Sequence, residues 1–273
     1  LAEISTASLL IAGIIHGLLL MCLFLIYVLY RAWRDPSLAP DVVLDMADAK
    51  SKTSVTVAIL RIFPCAFVFF MVMGLIMFGV ATPTEAAATG VFGAIVVAFI
   101  YGKFSLRMIA EALTTAATVS ALLLVIMCCA VMFSQLLTFT GATRAVAELV
   151  AHLDMPAVVM LFAMMALPFL LFMFLDQLAL MLVLIPIYQP LLKLFAFDPI
   201  WFWTLFLIVA TVGGLTPPFG YVLFALKSAA PDLPTTEIYR ASWPFVWLIV
   251  LGMVILVIFP DLVTFLPNLT RPE

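Results

Sequence analysis

The chain has 273 residues, of which 67% are hydrophobic and 10% are charged. Soluble globular proteins have roughly 45–50% apolar and about 25% charged residues, so this composition excludes a soluble domain and predicts a lipid environment. A formal net charge of −3 with no cluster of Lys or Arg excludes nucleic acid as a partner. The four cysteines lie in apolar stretches without the spacing of a zinc site, so no such metal site is predicted.

Apolar stretches of about 20 residues, the length of helix that crosses a bilayer, predict one polytopic all-α membrane domain over residues 1–273. Four spans are predicted within residues 1–143, at Ile4–Tyr30, Ile62–Thr84, Ala86–Gly102 and Ala112–Thr143. The polar residues 31–61 form a predicted cytoplasmic connector, which includes a helix on the membrane surface. A last span is predicted at Ala241–Pro260, within residues 241–260.

Residues 155–192 form a stretch whose length does not fit a single span. Met155–Leu192 has 38 residues and one charge, Asp176, near its middle. It is long for one span and short for two spans with a turn, so the sequence predicts a re-entrant helical hairpin. In this interpretation Pro156 opens the first arm, and Pro186 and Pro190 end the second. Two full spans remain an alternative, because both arrangements return the chain to the same face.

The apolar segment Ile200–Leu226, within residues 200–226, contains the sequence Gly213-Gly214-Leu215-Thr216-Pro217-Pro218. Two glycines followed by two prolines do not continue a regular helix, so a broken helix is predicted. Unwound backbone frees carbonyl groups for a cation, and the half-helix that starts near Pro217 points its positive end at an anion. The alternative is a simple proline kink.

The distribution of basic residues predicts the orientation. Nine of the twelve fall in loops on one side, which the positive-inside rule makes cytoplasmic. The C-terminus is then periplasmic. The nine are Arg31, Arg34, Lys50, Lys52, Arg61, Lys103, Arg107, Lys227 and Arg240, and the other three are Arg144, Lys193 and Arg271.

Two acidic residues lie deep in apolar sequence, where ionisable groups are costly and often functional. Glu85 completes a Thr-x-x-Glu capping box with Thr82, with Pro83 and Thr84 between them, and acts either as a structural cap or as an ion ligand. Asp176, with Gln177 beside it, is either a cap at the hairpin tip or a direct ligand. The sequence contains no pair of acids and no cluster of histidines of the kind that an enzyme active site would need, so an enzyme is not predicted.

Four motifs together resemble the large, DctM-like membrane subunit of the tripartite ATP-independent periplasmic (TRAP) transporters. They cover about the last 190 residues of the chain, so the resemblance does not depend on a single motif. The motifs are Gly79 to Ala88, Phe174-Leu175-Asp176 with Pro186 and Pro190, Asp198-Pro199-Ile200, and Gly214 to Gly220.

This resemblance implies an elevator-type transporter of the ion-transporter superfamily, located in the bacterial inner membrane. It implies Na⁺ as the coupling ion, no other cofactor, a small membrane subunit, and a periplasmic binding protein that delivers an organic acid such as a dicarboxylate or sialic acid. A sodium site is implied at Gly213, Gly214, Leu215, Thr216 and Pro217, and a substrate region at Asp176, Gln177 and Pro218.

The chain also differs from the family that it resembles. Family members are about half as long again, and their first half supplies a further hairpin and broken helix. His16-Gly17 stands where members commonly have Pro-Gly. We therefore expect the C-terminal part of a longer or split large subunit, with a missing N-terminal half as a partner. A superfamily anion transporter without a binding protein and a channel subunit remain the alternative functions.

Overall fold

The computed structural model describes residues 4–35, 55–152, 155–217, 220–229, 231 and 233–270. The regular structure of these residues is entirely α-helical, as the sequence predicts. The helices are α1 (Thr6–Arg34), α2 (Val55–Met77), α3 (Pro83–Ile100), α4 (Leu106–Phe139), α5 (Ala142–Ala151), α6 (Ala157–Phe172), α7 (Gln177–Leu194), α8 (Pro199–Leu215), α9 (Tyr221–Ala229), α10 (Thr235–Ile258) and α11 (Asp261–Thr270).

Five of the described helices are long and apolar enough to cross a membrane, namely α1, α3, α4, α7 and α10. Most of their side chains are exposed on the protein: of the 34 residues of α4, only Ala130 is buried. Apolar side chains on that scale are stable only against lipid or another protein. The chain is therefore a polytopic all-α membrane protein.

The chain divides into two compact units, residues 1–24 with 115–269 and residues 25–114 with 270–273. In the second unit, α2 packs against α3 through small residues. A Cβ atom built on Gly90 would lie 2.8 Å from Val72 Cγ2, and one on Gly93 would lie 3.0 Å from Met71 Cε. Glycine at these two positions therefore lets the two helices approach closely.

Residues 1–24 and 115–269 are built around α8, in which 13 of the 17 residues are buried and the less buried Leu207, Thr211 and Leu215 form one narrow stripe. α6, α7, α9 and α10 pack against it. Phe202, Leu205 and Phe206 are fully buried, and Trp201 Nε1 donates a hydrogen bond to the Leu256 carbonyl of α10 at 2.8 Å. A helix that is apolar and buried over most of its circumference forms the centre of a bundle.

α6 and α7 form the predicted pair of hairpin arms. Pro156 precedes α6 as its N-cap, and Asp176 is the N-cap of α7. Tyr188 Oη of α7 donates a buried hydrogen bond to the Met164 carbonyl of α6 at 3.0 Å, which joins the arms. α6 has 16 residues, about 24 Å at 1.5 Å per residue, which is shorter than a bilayer core of about 30 Å. The re-entrant arrangement itself stays a prediction.

The prediction that Pro186 and Pro190 end the second arm is wrong. α7 continues through both prolines to Leu194. Proline removes one backbone donor, and in a membrane helix the surrounding protein supports the remaining backbone. These prolines therefore lie inside the arm instead of terminating it.

Several predicted boundaries also differ from the structure, and among them α2 ends at Met77, before Thr84, and α10 begins at Thr235, before Ala241. α4 ends at Phe139, before Thr143, because Gly141 adopts a left-handed conformation (φ 72°) and starts α5. Residues 31–34 and 55–61, predicted as connector, are helical parts of α1 and α2, because helices continue beyond the hydrocarbon. The predicted surface helix falls on residues 36–54, outside the described residues.

Candidate functional site

The hairpin tip, residues 173–177, is closed by Asp176. The Asp176 backbone is extended (φ −60°, ψ 135°), and its carboxylate accepts a hydrogen bond from the Ala179 backbone N–H at 3.0 Å. This bond satisfies one of the free N–H groups in the first turn of α7. The structure therefore places Asp176 as a cap, and the same residue also lines the cavity described below.

Gln177 connects the hairpin tip to α8. Its side-chain amide Nε2 donates a hydrogen bond to the Ala210 carbonyl, 33 residues further along the chain. In an apolar region a polar side chain of this kind needs such a partner. The bond fixes the first residue of α7 against the last turns of α8.

A contact between Gly213 and Phe172 lies next to this bond. A Cβ atom built on Gly213 would lie 2.4 Å from the Phe172 Cβ atom and 3.2 Å from its carbonyl carbon. The ring of Phe172 packs edge-on against Phe206, with ring centroids 5.7 Å apart. Only glycine at position 213 allows α6 to end this close to α8, so packing alone requires this glycine.

The predicted break of the helix is present between α8 and α9, where the described residues Thr216, Pro217 and Gly220 are not helical. Thr216 is extended (φ −95°, ψ 133°), as expected for a residue that precedes proline. The half-helix α9 begins at Tyr221 and not near Pro217 as predicted, because Pro217 lies in a turn. Pro218 lies outside the described residues.

Thr216 is 1% exposed and is bound to the last turn of α8. Its hydroxyl donates a hydrogen bond to the Val212 carbonyl at 2.6 Å, and its backbone N–H donates one to the Gly213 carbonyl at 3.2 Å. Each of these carbonyl oxygens has a second lone pair, and the Thr216 hydroxyl oxygen keeps its acceptor capacity. Oxygen atoms that a cation would use are thus clustered at the end of α8. The hydroxyl and backbone N–H of Thr216 already donate hydrogen bonds to two of these oxygen atoms.

A cavity of about 450 Å³, here called the tip cavity, separates the hairpin tip from the break. Asp176 is the charged residue among those that line it, and Gln177, Gly214 and Gly220 contribute polar groups. The N-terminal ends of α7 and α9 and the C-terminal end of α8 all meet here, since Gln177, Gly220 and Gly214 mark those ends. Helix N-termini favour anions and helix C-termini favour cations. The remaining lining residues are Phe172, Phe174, Leu175, Leu178 and Phe224.

The capping box at Thr82 and Glu85 is present in the unit of residues 25–114. The Glu85 carboxylate accepts hydrogen bonds from the Thr82 backbone N–H and hydroxyl, both at 2.8 Å. The Glu85 N–H donates to Thr82 Oγ1 at 3.4 Å, and Pro83 occupies the first turn, with Thr84 following it. These bonds account for Glu85 as a cap, and a role in ion binding stays a prediction.

Phe172 and Ala210 belong to the site but are missed by sequence reasoning. Phe172 is an apolar residue among many, and Ala210 participates through its backbone carbonyl. The sequence points to them only indirectly. Gly213 indicates that another segment of the chain approaches α8 closely, but it does not indicate which segment.

The sequence model described as tripartite ATP-independent periplasmic transporter, DctM component, matches residues 1–262. The chain is 28% identical over 266 residues to the ectoine/5-hydroxyectoine TRAP transporter large permease protein UehC of Ruegeria pomeroyi, which covers 97% of this chain and 60% of that protein.

Two further relatives have other substrates in their names. The C4-dicarboxylate TRAP transporter large permease protein DctM of Pseudomonas aeruginosa is 28% identical over 269 residues, which is 97% of this chain and 61% of that protein. The sialic acid TRAP transporter permease protein SiaT of Haemophilus influenzae is 27% identical over 204 residues, which is 74% of this chain and 33% of that protein. The chain thus spans about 60% of the length of the first relatives it matches.

Proposed function

This chain belongs to the DctM component family of the tripartite ATP-independent periplasmic transporters, and on that premise we propose that it forms the part of a sodium-coupled transporter that binds and moves an organic acid. The observation that carries the proposal is the tip cavity, where the hairpin tip faces the break in the α8–α9 helix. Discontinuous helices, whose half-helix ends point at the substrate and the coupling ion, are an arrangement that secondary transporters use at their binding sites.

The substrate class follows from the helix ends at the tip cavity. The N-terminal ends of α7 and α9 both reach it and favour a carboxylate or another small anionic group. Gln177 and the backbone at Gly214 and Gly220 are positioned to supply polar contacts. The names of the relatives support this class, since dicarboxylate and sialic acid both carry carboxylates.

Na⁺ is the proposed co-substrate, bound at the end of α8 by residues 213–217. The C-terminal end of a helix carries partial negative charge, and its carbonyl oxygens suit an alkali cation. The Val212 and Gly213 carbonyls and the Thr216 hydroxyl oxygen are the atoms that the structure brings together there. Their remaining lone pairs are the proposed ligands.

The elevator mechanism requires that the hairpin and the broken helix move as one body. Three contacts described above support this: Tyr188 with Met164, Phe172 with Gly213, and Gln177 with Ala210. Each of them ties one arm of the hairpin to the other arm or to α8. We further propose an inner-membrane location with a periplasmic C-terminus, and the small membrane subunit, the periplasmic binding protein and the rest of the large subunit as partners.

Uptake into proteoliposomes tests this function. The chain is reconstituted with its genomic neighbours, which supply any further part of the large subunit, a small membrane subunit and a binding protein. Radiolabelled succinate, sialic acid and ectoine are offered with and without an inward Na⁺ gradient. Sodium-dependent uptake that requires the binding protein supports the proposal and identifies the substrate.

Two other outcomes would contradict it. Sodium-dependent uptake without the binding protein would assign the chain to another type of secondary anion transporter. Flux that needs neither the gradient nor the binding protein would indicate a channel.

A further inference from the structure

A second cavity, here called the α4–α7 cavity, has a volume of about 380 Å³ and shares no lining residue with the tip cavity. It lies where α4 ends, α5 begins and α7 ends. Its polar lining comes from Ser134 and Thr138 of α4, Thr143 of α5, and Gln189 and Lys193 of α7, and the rest of its wall is formed by apolar residues of α7. The function proposed above does not use this cavity.

Several donors at this cavity have no partner among the residues that the structure describes. Within the part of the chain that the structure describes, the side chains of Ser134, Thr143 and Lys193 make no hydrogen bond and no ion pair. Arg144, which follows Thr143, is instead paired with Glu148 at 2.8 Å. Two hydroxyls and one ammonium group therefore line one cavity with hydrogen-bonding capacity that the described part of the chain leaves unused.

The charge of the cavity lining is positive. Lys193 is the charged side chain in it, and Thr143 is the second residue of α5, whose N-terminal end carries partial positive charge. The partial negative charge at the C-terminal ends of α4 and α7 would repel an anion, but carbonyl groups near these ends already accept hydrogen bonds. Thr138 Oγ1 donates to the Ser134 carbonyl at 2.9 Å, and the backbone N–H of Phe197 donates to the Leu192 carbonyl at 3.0 Å.

The ends of three helices meet at this cavity, and membrane helices end near the lipid head groups. A lysine in the last turn of an apolar helix extends its ammonium group toward that polar layer. An ammonium group with neighbouring hydroxyls suits the phosphate of an anionic lipid. A dissolved phosphate or carboxylate presents the same negative charge and the same acceptor oxygen atoms.

We propose that the α4–α7 cavity is an anion site, in which Lys193, Ser134 and Thr143 bind a phosphate or carboxylate group at the membrane interface. The ammonium group of Lys193 neutralises the anion, and the two hydroxyls donate hydrogen bonds to its oxygen atoms. The anion is the head group of an anionic lipid or a dissolved organic or inorganic anion.

Native mass spectrometry and thermal unfolding of the purified full chain test the site. The probes are phosphatidylglycerol, phosphatidylcholine, inorganic phosphate and succinate. Lys193→Gln removes the charge, Thr143→Val removes one hydroxyl at nearly constant volume, and Lys103→Gln removes an exposed lysine charge elsewhere as the matched control. The Tm of each variant without ligand shows that it folds.

We expect wild type to retain phosphatidylglycerol in preference to phosphatidylcholine, and Lys193→Gln to lose about fivefold in that affinity, the effect of one lysine near an anionic surface. Thr143→Val weakens the same affinity, and Lys103→Gln leaves it unchanged. If phosphate or succinate raises Tm in wild type but not in Lys193→Gln, without a lipid preference, the ligand is a dissolved anion. Equal binding of all probes by wild type and Lys193→Gln, or an equal loss in Lys103→Gln, would overturn the proposal.

Discussion

The Cβ atom of Phe172 occupies the space in which a side chain at Gly213 would begin. A Cβ atom built on Gly213 would lie 2.4 Å from it, well inside van der Waals contact. This contact joins the end of the first hairpin arm to the last turn of α8, and it makes the position of the hairpin tip sensitive to a single methyl group.

We expect Gly213→Ala to destabilise the chain by about 1–3 kcal/mol, the usual cost of forcing one extra carbon into a packed core. Phe172 would move away from α8, and the tip cavity would change shape. Thermal unfolding of the purified chain measures the effect. Gly74→Ala is the control, because a Cβ atom at Gly74 meets nothing within 4 Å. Equal Tm values for the two variants would show that the contact is not restrictive.

Removal of the Gln177 side-chain amide tests the connection between the tip and α8. Gln177→Leu loses the hydrogen bond to the Ala210 carbonyl, and we expect a loss of about 0.5–1.5 kcal/mol. Amide hydrogen exchange in residues 173–180 is expected to become faster, because the hairpin tip opens more often. Gln135→Leu, at an exposed position on α4, is the matched control and is expected to leave exchange at the tip unchanged.

Thr216→Ala tests the proposed sodium site. The variant loses a hydroxyl oxygen beside the Val212 carbonyl, and we expect the Na⁺ concentration for half-maximal uptake to rise roughly tenfold, the change that about 1.4 kcal/mol produces. Thr216→Ser keeps the hydroxyl and is expected to restore the sodium response.

Thr211→Ala is the control for this variant, since the Thr211 hydroxyl makes the same type of bond, to the Leu207 carbonyl at 2.9 Å, on an exposed part of α8. An unchanged sodium response of Thr216→Ala, with a loss of expression in proportion to the loss of uptake, would argue against ligation.

Variants at Glu85, in the Thr82–Glu85 capping box, distinguish a structural cap from an ion ligand. Gln at position 85 still accepts the bonds of Thr82, so we expect Glu85→Gln to keep both Tm and uptake. Glu85→Ala removes those bonds and is expected to lower Tm. Thermal unfolding and proteoliposome uptake of both variants measure this. Loss of uptake in Glu85→Gln at an unchanged Tm would instead assign an ionic role to the carboxylate.

Much of the architecture follows from the sequence because lipid imposes simple rules. Apolar length predicts helices, and capping residues predict their first turns, as at Asp176 and Glu85. The boundaries are less predictable, because proline acts differently in different contexts. Pro186 and Pro190 remain inside α7, while Pro217 lies in a turn before α9 begins. The difference depends on what surrounds each proline, which the local sequence does not encode.

The candidate site is predictable only in part for the same reason. Residues of unusual chemistry, such as Asp176 and the glycines before Thr216, stand out in apolar sequence. Phe172 and Ala210 do not, because they act through shape and through a backbone carbonyl. Their participation depends on how two segments, about 40 residues apart, pack in three dimensions.

The burial of α8 over most of its circumference has a consequence for how its sequence can vary. A helix with one lipid-facing side tolerates exchange among apolar residues on that side, so its tolerance repeats every three to four positions. On α8 the less buried side is limited to the narrow stripe of Leu207, Thr211 and Leu215, and a larger or smaller side chain at most other positions meets a neighbour. A saturation mutagenesis scan is therefore expected to find many tolerant positions along α4, and tolerance along α8 that is confined mainly to this stripe.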